Sequence, residues 1–361
     1  MAEPLHDPVM TATAVAAPIL RTEDLVVHYG SRGGFFRRSD RRVHAVEGVS
    51  LSLSAGETLG LVGESGCGKS TIARAIVRLI EPTAGRILVD DVDIAHLGRG
   101  ELRPFRRELQ MVFQDPYGSL NPRLPLSEII AEPLKIHGQY KKQTGRARVD
   151  EVMSLVGLTP EYASRYPHQL SGGQRQRVGI ARSLALNPKI LILDEPVSAL
   201  DVSIQAQVIN LLEDLQARLG LAYLFIAHNL SVVRQISDRV AVMYLGKVME
   251  LGARSQIYSQ PAHPYTQALL SAAPVADSSA RGRKKRIILR GDVPSPSSPP
   301  AGCVFNTRCW LREQLGNPER CVSEAPVLSD TTGASQLVAC HFPDLRGPTV
   351  VPVDSGRSPL A

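Results

Sequence analysis

Gly63-Glu64-Ser65-Gly66-Cys67-Gly68-Lys69-Ser70 fits the pattern G-x-x-x-x-G-K-[ST], and the residues on either side fit its required context. Thr58-Leu59-Gly60-Leu61-Val62 reads as a buried strand and Thr71 to Leu79 as a helix, so strand, glycine turn and helix start fall in order. The glycines let the backbone fold tightly enough to aim N–H groups at phosphate oxygens, and the helix start behind them favours negative charge. Lys69 is placed to neutralise the β- and γ-phosphates, and Ser70 to ligate Mg²⁺. Cys67 fills a variable position of the loop, where it reads as a small filler. A glycine-rich turn with an incidental lysine would not carry both flanks.

Moving outward, Lys189-Ile190-Leu191-Ile192-Leu193-Asp194-Glu195 is a short apolar run after Asn187-Pro188, as expected of a central parallel strand. It delivers two adjacent carboxylates at its C-terminal edge. Phosphoryl transfer needs mostly positioning and charge stabilisation, so Asp194 is assigned to Mg²⁺ and Glu195 to polarising the attacking water. Between the two motifs lies Leu170-Ser171-Gly172-Gly173-Gln174, which reads as a helix start. Ser171 can cap it, Gly172 and Gly173 leave the first N–H groups open to a phosphate, and the helix runs to Asn187-Pro188.

These motifs, in this order, resemble the ATP-binding cassette (ABC) ATPases over roughly Leu25 to Gly252. The resemblance implies an α/β P-loop NTPase: a RecA-like core, an antiparallel β subdomain and a helical subdomain. In that family the signature of one subunit faces the P-loop of another across a head-to-tail dimer, so Ser171 and Gly173 would contact the partner's γ-phosphate. The resemblance also puts Tyr29 at the adenine-stacking position and Gln114 at the metal- and permease-sensing glutamine. Asp201, in Ser198-Ala199-Leu200-Asp201, falls in the D-loop, and His228 at the γ-phosphate switch. The implied nucleotide site is thus Tyr29, the loop from Gly63 to Thr71, Ser171 to Gln174 and Asp201. Ser70, Gln114 and Asp194 would hold Mg²⁺, and Glu195, His228 and Gln114 would act on the γ-phosphate and water.

The organisation expected along the 361 residues is a disordered tail over 1–20, a cassette over 21–258, an extension over 259–345 and a closing tail over 346–361. Within the cassette, Gly85 to Ile94 reads as a hairpin and residues 115–180 as helical, with Ser127 capping Glu128 to Leu134. Val149, Val152, Met153 and Val156 share one helical face, and Ser203 to Leu219 forms an amphipathic helix ending at Gly220. No stretch approaches the ~18 to 20 apolar residues of a membrane span, and the N-terminus lacks the basic region of a signal peptide. The net charge of +6 gathers in Arg37-Arg38, Arg41-Arg42 and Arg281-Gly282-Arg283-Lys284-Lys285-Arg286. No aromatic stacking platform accompanies these runs, which argues against nucleic acid and for solvated surface or proximity to anionic lipid.

Beyond Gln260 the composition shifts to Pro, Ser and Arg, with Pro294 to Pro300 linker-like. His263-Pro264-Tyr265-Thr266, Gly291-Asp292-Val293-Pro294-Ser295-Pro296, Gly302-Cys303 and Ala339-Cys340-His341 resemble the C-terminal extension of dipeptide, oligopeptide and nickel importer ATPases. The runs from Phe113 to Pro122 and from Glu195 to Gln207 resemble the second of the two paralogous ATPases of such importers. That implies a heterodimer with a paralogous ATPase, held at the cytoplasmic face of the membrane by two permeases that receive solute from an extracytoplasmic binding protein. The alternatives are the ATPase of another importer or an exporter, and a soluble ABC protein. An exporter would not be expected to carry this tail, and soluble members usually join two cassettes, where this chain has one.

Cys303, Cys309, Cys321 and Cys340 crowd into the extension, and four soft thiolates suit an iron–sulfur cluster or zinc, or else simply pack. Related tails can carry a four-iron cluster; here the gap from Cys309 to Cys321 is longer than that pattern suggests. The sequence places nothing in the tail near Lys69 or Glu195.

Overall fold

The computed structural model describes residues 17–30, 42–115, 118–272, 286–330, 333, 335–343 and 345. Most of the N-terminal tail, the basic segments 31–41 and 281–285, and the closing tail 346–361 lie outside the described residues.

The strands are β1 (Pro18–Tyr29), β2 (Val43–Ser54), β3 (Thr58–Val62), β4 (Ala84–Val89), β5 (Val92–Asp93) and β6 (Leu109–Val112). They continue as β7 (Ile190–Asp194), β8 (Ala222–Ala227), β9 (Arg239–Tyr244), β10 (Lys247–Ala253), β11 (Ser329–Asp330) and β12 (Leu337–Val338). The cassette helices are α1 (Lys69–Ile76), α2 (Leu102–Glu108), α3 (Leu126–Ile136), α4 (Lys142–Leu155), α5 (Gly172–Leu184), α6 (Val202–Leu219) and α7 (Leu230–Ile236). Then come α8 (Arg254–Ser259), α9 (Pro264–Ala272), α10 (Trp310–Gln314) and α11 (Arg320–Ser323).

One sheet is antiparallel in the order β2-β1-β4-β5; the other runs β11-β12-β10-β9-β3-β8-β7-β6 and is parallel from β9 to β6. The apolar runs of β3, β7 and β8 are buried throughout, because helices cover one face of the parallel strands and α1 with the antiparallel sheet covers the other. Alternation then divides them between two cores: Leu191, Leu193, Tyr223 and Phe225 face one, Ile190, Ile192, Leu224 and Ile226 the other. Register sets the strand ends level. Val62 pairs Ala227, Asp194 pairs Ile226 and Val112 pairs Leu193, so the residues that follow emerge together at one C-terminal edge.

The hairpin expected in Gly85–Ile94 is β4–β5, turning on Asp90 and Asp91, both at positive φ. Helix α6 ends at Gly220 in the left-handed region, and Val149, Val152, Met153 and Val156 are buried together.

Three expectations are corrected. Residues 18–20 are not tail: β1 begins at Pro18, and Leu20 is buried between its partners Leu53 and Val89. Ser127 does not cap its helix; α3 starts at Leu126 after Pro125, and Leu126 N–H donates to Arg165 O at 2.9 Å. The helix behind the P-loop spans Lys69–Ile76 rather than running to Leu79, because Arg78 takes positive φ and reverses the chain.

The extension is built into the cassette. Its strand β12 pairs antiparallel with β10, placing Val338 opposite Glu250. Glu250, fully buried, accepts hydrogen bonds from Ala262 N (2.8 Å), His263 N (3.0 Å) and Gln336 Nε2 (2.5 Å). Even the Pro-Ser stretch is tied down, since His44 N–H donates to Pro296 O at 2.9 Å.

Candidate functional site

The chain between β3 and α1 leaves no room for side chains at two of its glycines. A Cβ on Gly63 would lie 2.2 Å from Met243 O, and one on Gly68, at φ 106°, 2.2 Å from Ala45 O. The loop therefore curls tightly, and Lys69, only 5% exposed, folds over it. Its Nζ donates to Gly63 O (2.8 Å) and Glu64 O (3.0 Å), spanning the cradle. Cys67 is buried in the core beneath, where burial pushes its thiol pKa up, as suits a filler.

Ser70 Oγ donates to Asp194 Oδ1 at 2.9 Å, joining residues 124 apart in sequence. Burial holds the Asp194 carboxyl above the ordinary carboxylate range; the hydrogen bond from Ser70 opposes it and the charge of Glu195 adds to it. A desolvated carboxylate beside a hydroxyl is a donor pair suited to a hard cation. Glu195 turns the other way: at φ 46° its Oε2 accepts from Gln114 Nε2 (3.0 Å) and lies 3.3 Å from His228 Nδ1. Gln114, Glu195 and His228 thus meet just beyond the ends of β6, β7 and β8. Tyr29 closes β1 with its ring 39% exposed, as a stacking platform needs.

The signature residues behave differently. Ser171 caps α5 in a capping box: its Oγ accepts from Gln174 N (3.3 Å) and its own N–H donates to Gln174 Oε1 (3.0 Å). The Gln174 amide also donates to Tyr162 Oη. These bonds stay within the helical region and do not reach Lys69. The glycines are shaped by packing too, since a Cβ on Gly173 would meet Ile204 Cγ2 at 2.5 Å and one on Gly172 Leu200 Cδ2 at 3.2 Å. Asp201 caps α6, accepting from Ile204 N (3.0 Å) and Ser203 Oγ (2.9 Å).

In the extension, Cys303, Cys309, Cys321 and Cys340 line one recess with His263, Phe305 and Leu311. The long gap before Cys321 is spanned by α10 and a turn, and Cys303 N–H donates to Cys321 O at 3.0 Å. Burial pushes the thiol of Cys309 up to about 11 and that of Cys340 up to about 12, and raises those of Cys303 and Cys321.

Other residues were not legible in the sequence. Glu64 Oε2 accepts from Arg308 Nη1 at 2.8 Å, and Glu64 N–H donates to Tyr265 Oη at 3.0 Å, so the extension touches the P-loop. Nothing in the sequence placed this part of the extension beside the loop that carries Lys69. Beside Tyr29, Glu47 Oε2 bridges His28 Nε2 (2.7 Å) and His44 Nδ1 (2.9 Å), a cross-strand pair of β1 and β2. Burial alone would raise the Glu47 carboxyl; the two histidine hydrogen bonds outweigh it and hold it low.

Sequence comparison matches residues 46–198 to the ABC transporter family and residues 249–314 to the oligopeptide/dipeptide transporter C-terminal region. The chain is 53% identical over 325 residues to the oligopeptide transport ATP-binding protein AppF of Bacillus subtilis (strain 168), covering 90% of this chain and 97% of that protein. The chain belongs to the ATP-binding proteins of ABC transporters. This ABC ATPase is also 52% identical to the oligopeptide transport ATP-binding protein OppF of Salmonella typhimurium (strain LT2), over 86% of the chain and 92% of that protein. Among solved structures, the dimeric ATP-binding cassette MJ0796 in a post-hydrolysis state bound to ADP and Pi superposes with TM-score 0.57 and 30% identity. The match covers 65% of this chain and 98% of that one. CbiO1 of Clostridium perfringens gives TM-score 0.59 and 29% identity over 68% of this chain and 92% of that one. No helix among the described residues of the ABC ATPase is long and apolar enough to cross a membrane.

Proposed function

We propose that this ATPase energises import of peptides or related solutes, as the second of two paralogous ATPases in a heterodimer docked under two permeases. An extracytoplasmic binding protein delivers the solute in this reading, and the chain sits at the cytoplasmic face of the membrane. The cassette corresponds to 18–258, beginning with β1, and the peptide-importer extension to 259–345. The observation that carries the catalytic part is the meeting of Ser70 with Asp194, and of Glu195 with Gln114 and His228, at one sheet edge above the P-loop.

In this reading Lys69 exchanges its carbonyl partners for the β- and γ-phosphates, which the N–H groups of the loop from Gly63 to Thr71 cradle, while Tyr29 stacks on adenine. Ser70, Asp194 and Gln114 hold Mg²⁺, which supplies positive charge to the phosphates. Glu195 orients and polarises the attacking water, and His228 reads the γ-phosphate. The bonds of Ser171 and Gln174 fix the start of α5, and the N–H groups of Gly172 and Gly173 at that start would meet the γ-phosphate of a partner's site. Asp201, at the cap of α6, belongs to the same dimer face. The four extension thiols, which line one recess, would form an iron–sulfur ligand set, with zinc as the competing metal; no three of these sulfurs lie within 4.8 Å of one another, so zinc, which draws its thiolates closer than that, fits less well.

Glu195→Gln tests the catalytic reading. The amide keeps the shape but cannot polarise water as a carboxylate does, so ATP binding persists, hydrolysis falls by about a hundredfold or more, and the closed heterodimer accumulates. Crosslinking across the interface reports the closure; no ATP-dependent gain in crosslinked dimer would falsify the role given to Glu195.

A further inference from the structure

Every polar group of Glu64 is engaged, and two of the three are held from the extension. Its N–H donates to Tyr265 Oη (3.0 Å), its carboxylate accepts from Arg308 Nη1 (2.8 Å), and its carbonyl accepts from Lys69 Nζ (3.0 Å). The contact is largely buried: the side chain of Arg308 is 10% exposed and that of Glu64 26%. Behind it, Tyr265 is fully buried against Tyr244 and Phe305, with ring centroids 4.8 and 5.3 Å away. Arg308 also reaches Tyr244 Oη at 3.5 Å and sits immediately before Cys309. The P-loop is therefore fixed on its outer side by residues that belong to the extension rather than to the cassette.

We infer that Arg308 and Tyr265 are positioning residues for the nucleotide site, acting through Glu64. The inference rests on the assignment of Gly63–Ser70 as the phosphate cradle. Two effects follow from the geometry. Arg308 neutralises a carboxylate carried by the cradle itself, whose charge would otherwise oppose a triphosphate in a partly desolvated setting. Tyr265 holds the Gly63–Glu64 peptide by its N–H, and the carbonyl of that same peptide, Gly63 O, accepts from Lys69 Nζ at 2.8 Å. A salt bridge that merely fastened the extension would affect folding and leave nucleotide affinity alone.

The experiment is a fluorescent-ATP titration of the full-length subunit, with thermal unfolding of each variant alongside. Arg308→Ala is expected to weaken ATP binding about tenfold, Arg308→Lys by less because it retains the charge but not the fork, and Tyr265→Phe by about threefold. The decisive variant is Glu64→Gln with Arg308→Ala, in which no unpaired charge remains; its Kd returns to within about twofold of Glu64→Gln alone. In the assembled complex, the loss appears in KM for ATP with kcat little changed. If Arg308→Ala melts earlier yet binds ATP as the parent does, the inference is overturned. Lys69→Ala is the control for the underlying assignment: if it too binds normally, the cradle itself is misplaced, whereas loss of binding in Lys69→Ala alone refutes only the role of Arg308.

Discussion

Asp194 and Glu195 are neighbours in sequence with opposite surroundings. Asp194 finishes β7 inside the sheet, 1% exposed, and faces Ser70, whereas the positive φ of Glu195 swings its carboxylate toward Gln114 and His228. A non-glycine residue in that conformation costs about 1 kcal/mol, which the Glu195 N–H bond to Ile226 O (2.9 Å) and the flanking strand pairing offset. In the proposed mechanism this one strand end would supply both the cation ligand and the water-facing base. His263 shows burial acting on charge. Its ring is fully enclosed, Nδ1 accepts from Tyr265 N at 3.0 Å, and desolvation lowers its pKa from 6.5 to about 3. The unfolded chain binds a proton that the folded chain refuses. The stability due to neutral His263 is therefore fully present above about pH 6.5 and is lost progressively as pH falls toward 3. Denaturant midpoints at pH 7 and pH 5 should fall more steeply in the parent than in His263→Asn, which offers an acceptor but no titrating group. Equal slopes would remove His263 as the cause.

At the scale of elements, the signature helix is held by a few local bonds and the extension by bonds between residues far apart in sequence. Helix α5 was legible because the cap at Ser171 and the stop ahead of Asn187-Pro188 are local signals; the structure runs it from Gly172 to Leu184 and adds a capping-box bond from Gln174 that was not read from the sequence. Helix α3 was misread by its cap because the N–H group at its start is satisfied by Arg165 O, from a turn far along the chain. The junction of β10, α9 and β12 was not legible at all. It depends on Glu250, a buried carboxylate that collects donors from Ala262, His263 and Gln336, and burial pushes its pKa up against those hydrogen bonds. Glu250→Ala leaves these donors without their acceptor, so a loss of about 3 kcal/mol is expected. Amide exchange should rise in α9 and β12 while β3 and β7 remain protected. Unchanged protection in α9 would show that aromatic packing, not Glu250, holds the extension.

Across the whole molecule, the extension forms a layer between the sheet edge and the P-loop. Arg308, which bonds Glu64, immediately precedes Cys309 of the thiol recess. Protein purified without oxygen should carry a sulfur-ligated metal that Cys321→Ser removes, with visible absorption and acid-labile sulfide for iron or a zinc signal for the competing metal. Because Arg308 borders the recess, the same variant should weaken ATP binding in the direction of Arg308→Ala. Protein free of both metals under these conditions would reduce the four cysteines to packing residues.

The sequence by itself determined the cassette: the P-loop between its strand and helix, the paired carboxylates, the signature cap and the helical periodicities. Each of these is written in contiguous residues, where backbone geometry and side-chain spacing are coupled over a few positions. Only the tertiary structure decided which side chains meet. The register of β3, β6, β7 and β8 brings Gln114, Glu195 and His228 to one edge, and the antiparallel addition of β12 carries the extension against the loop. The salt bridge of Glu64 with Arg308 spans 244 positions, and no local signal marks either partner. Isolated charged residues look like solvated surface until packing removes the water and leaves each as the other's partner.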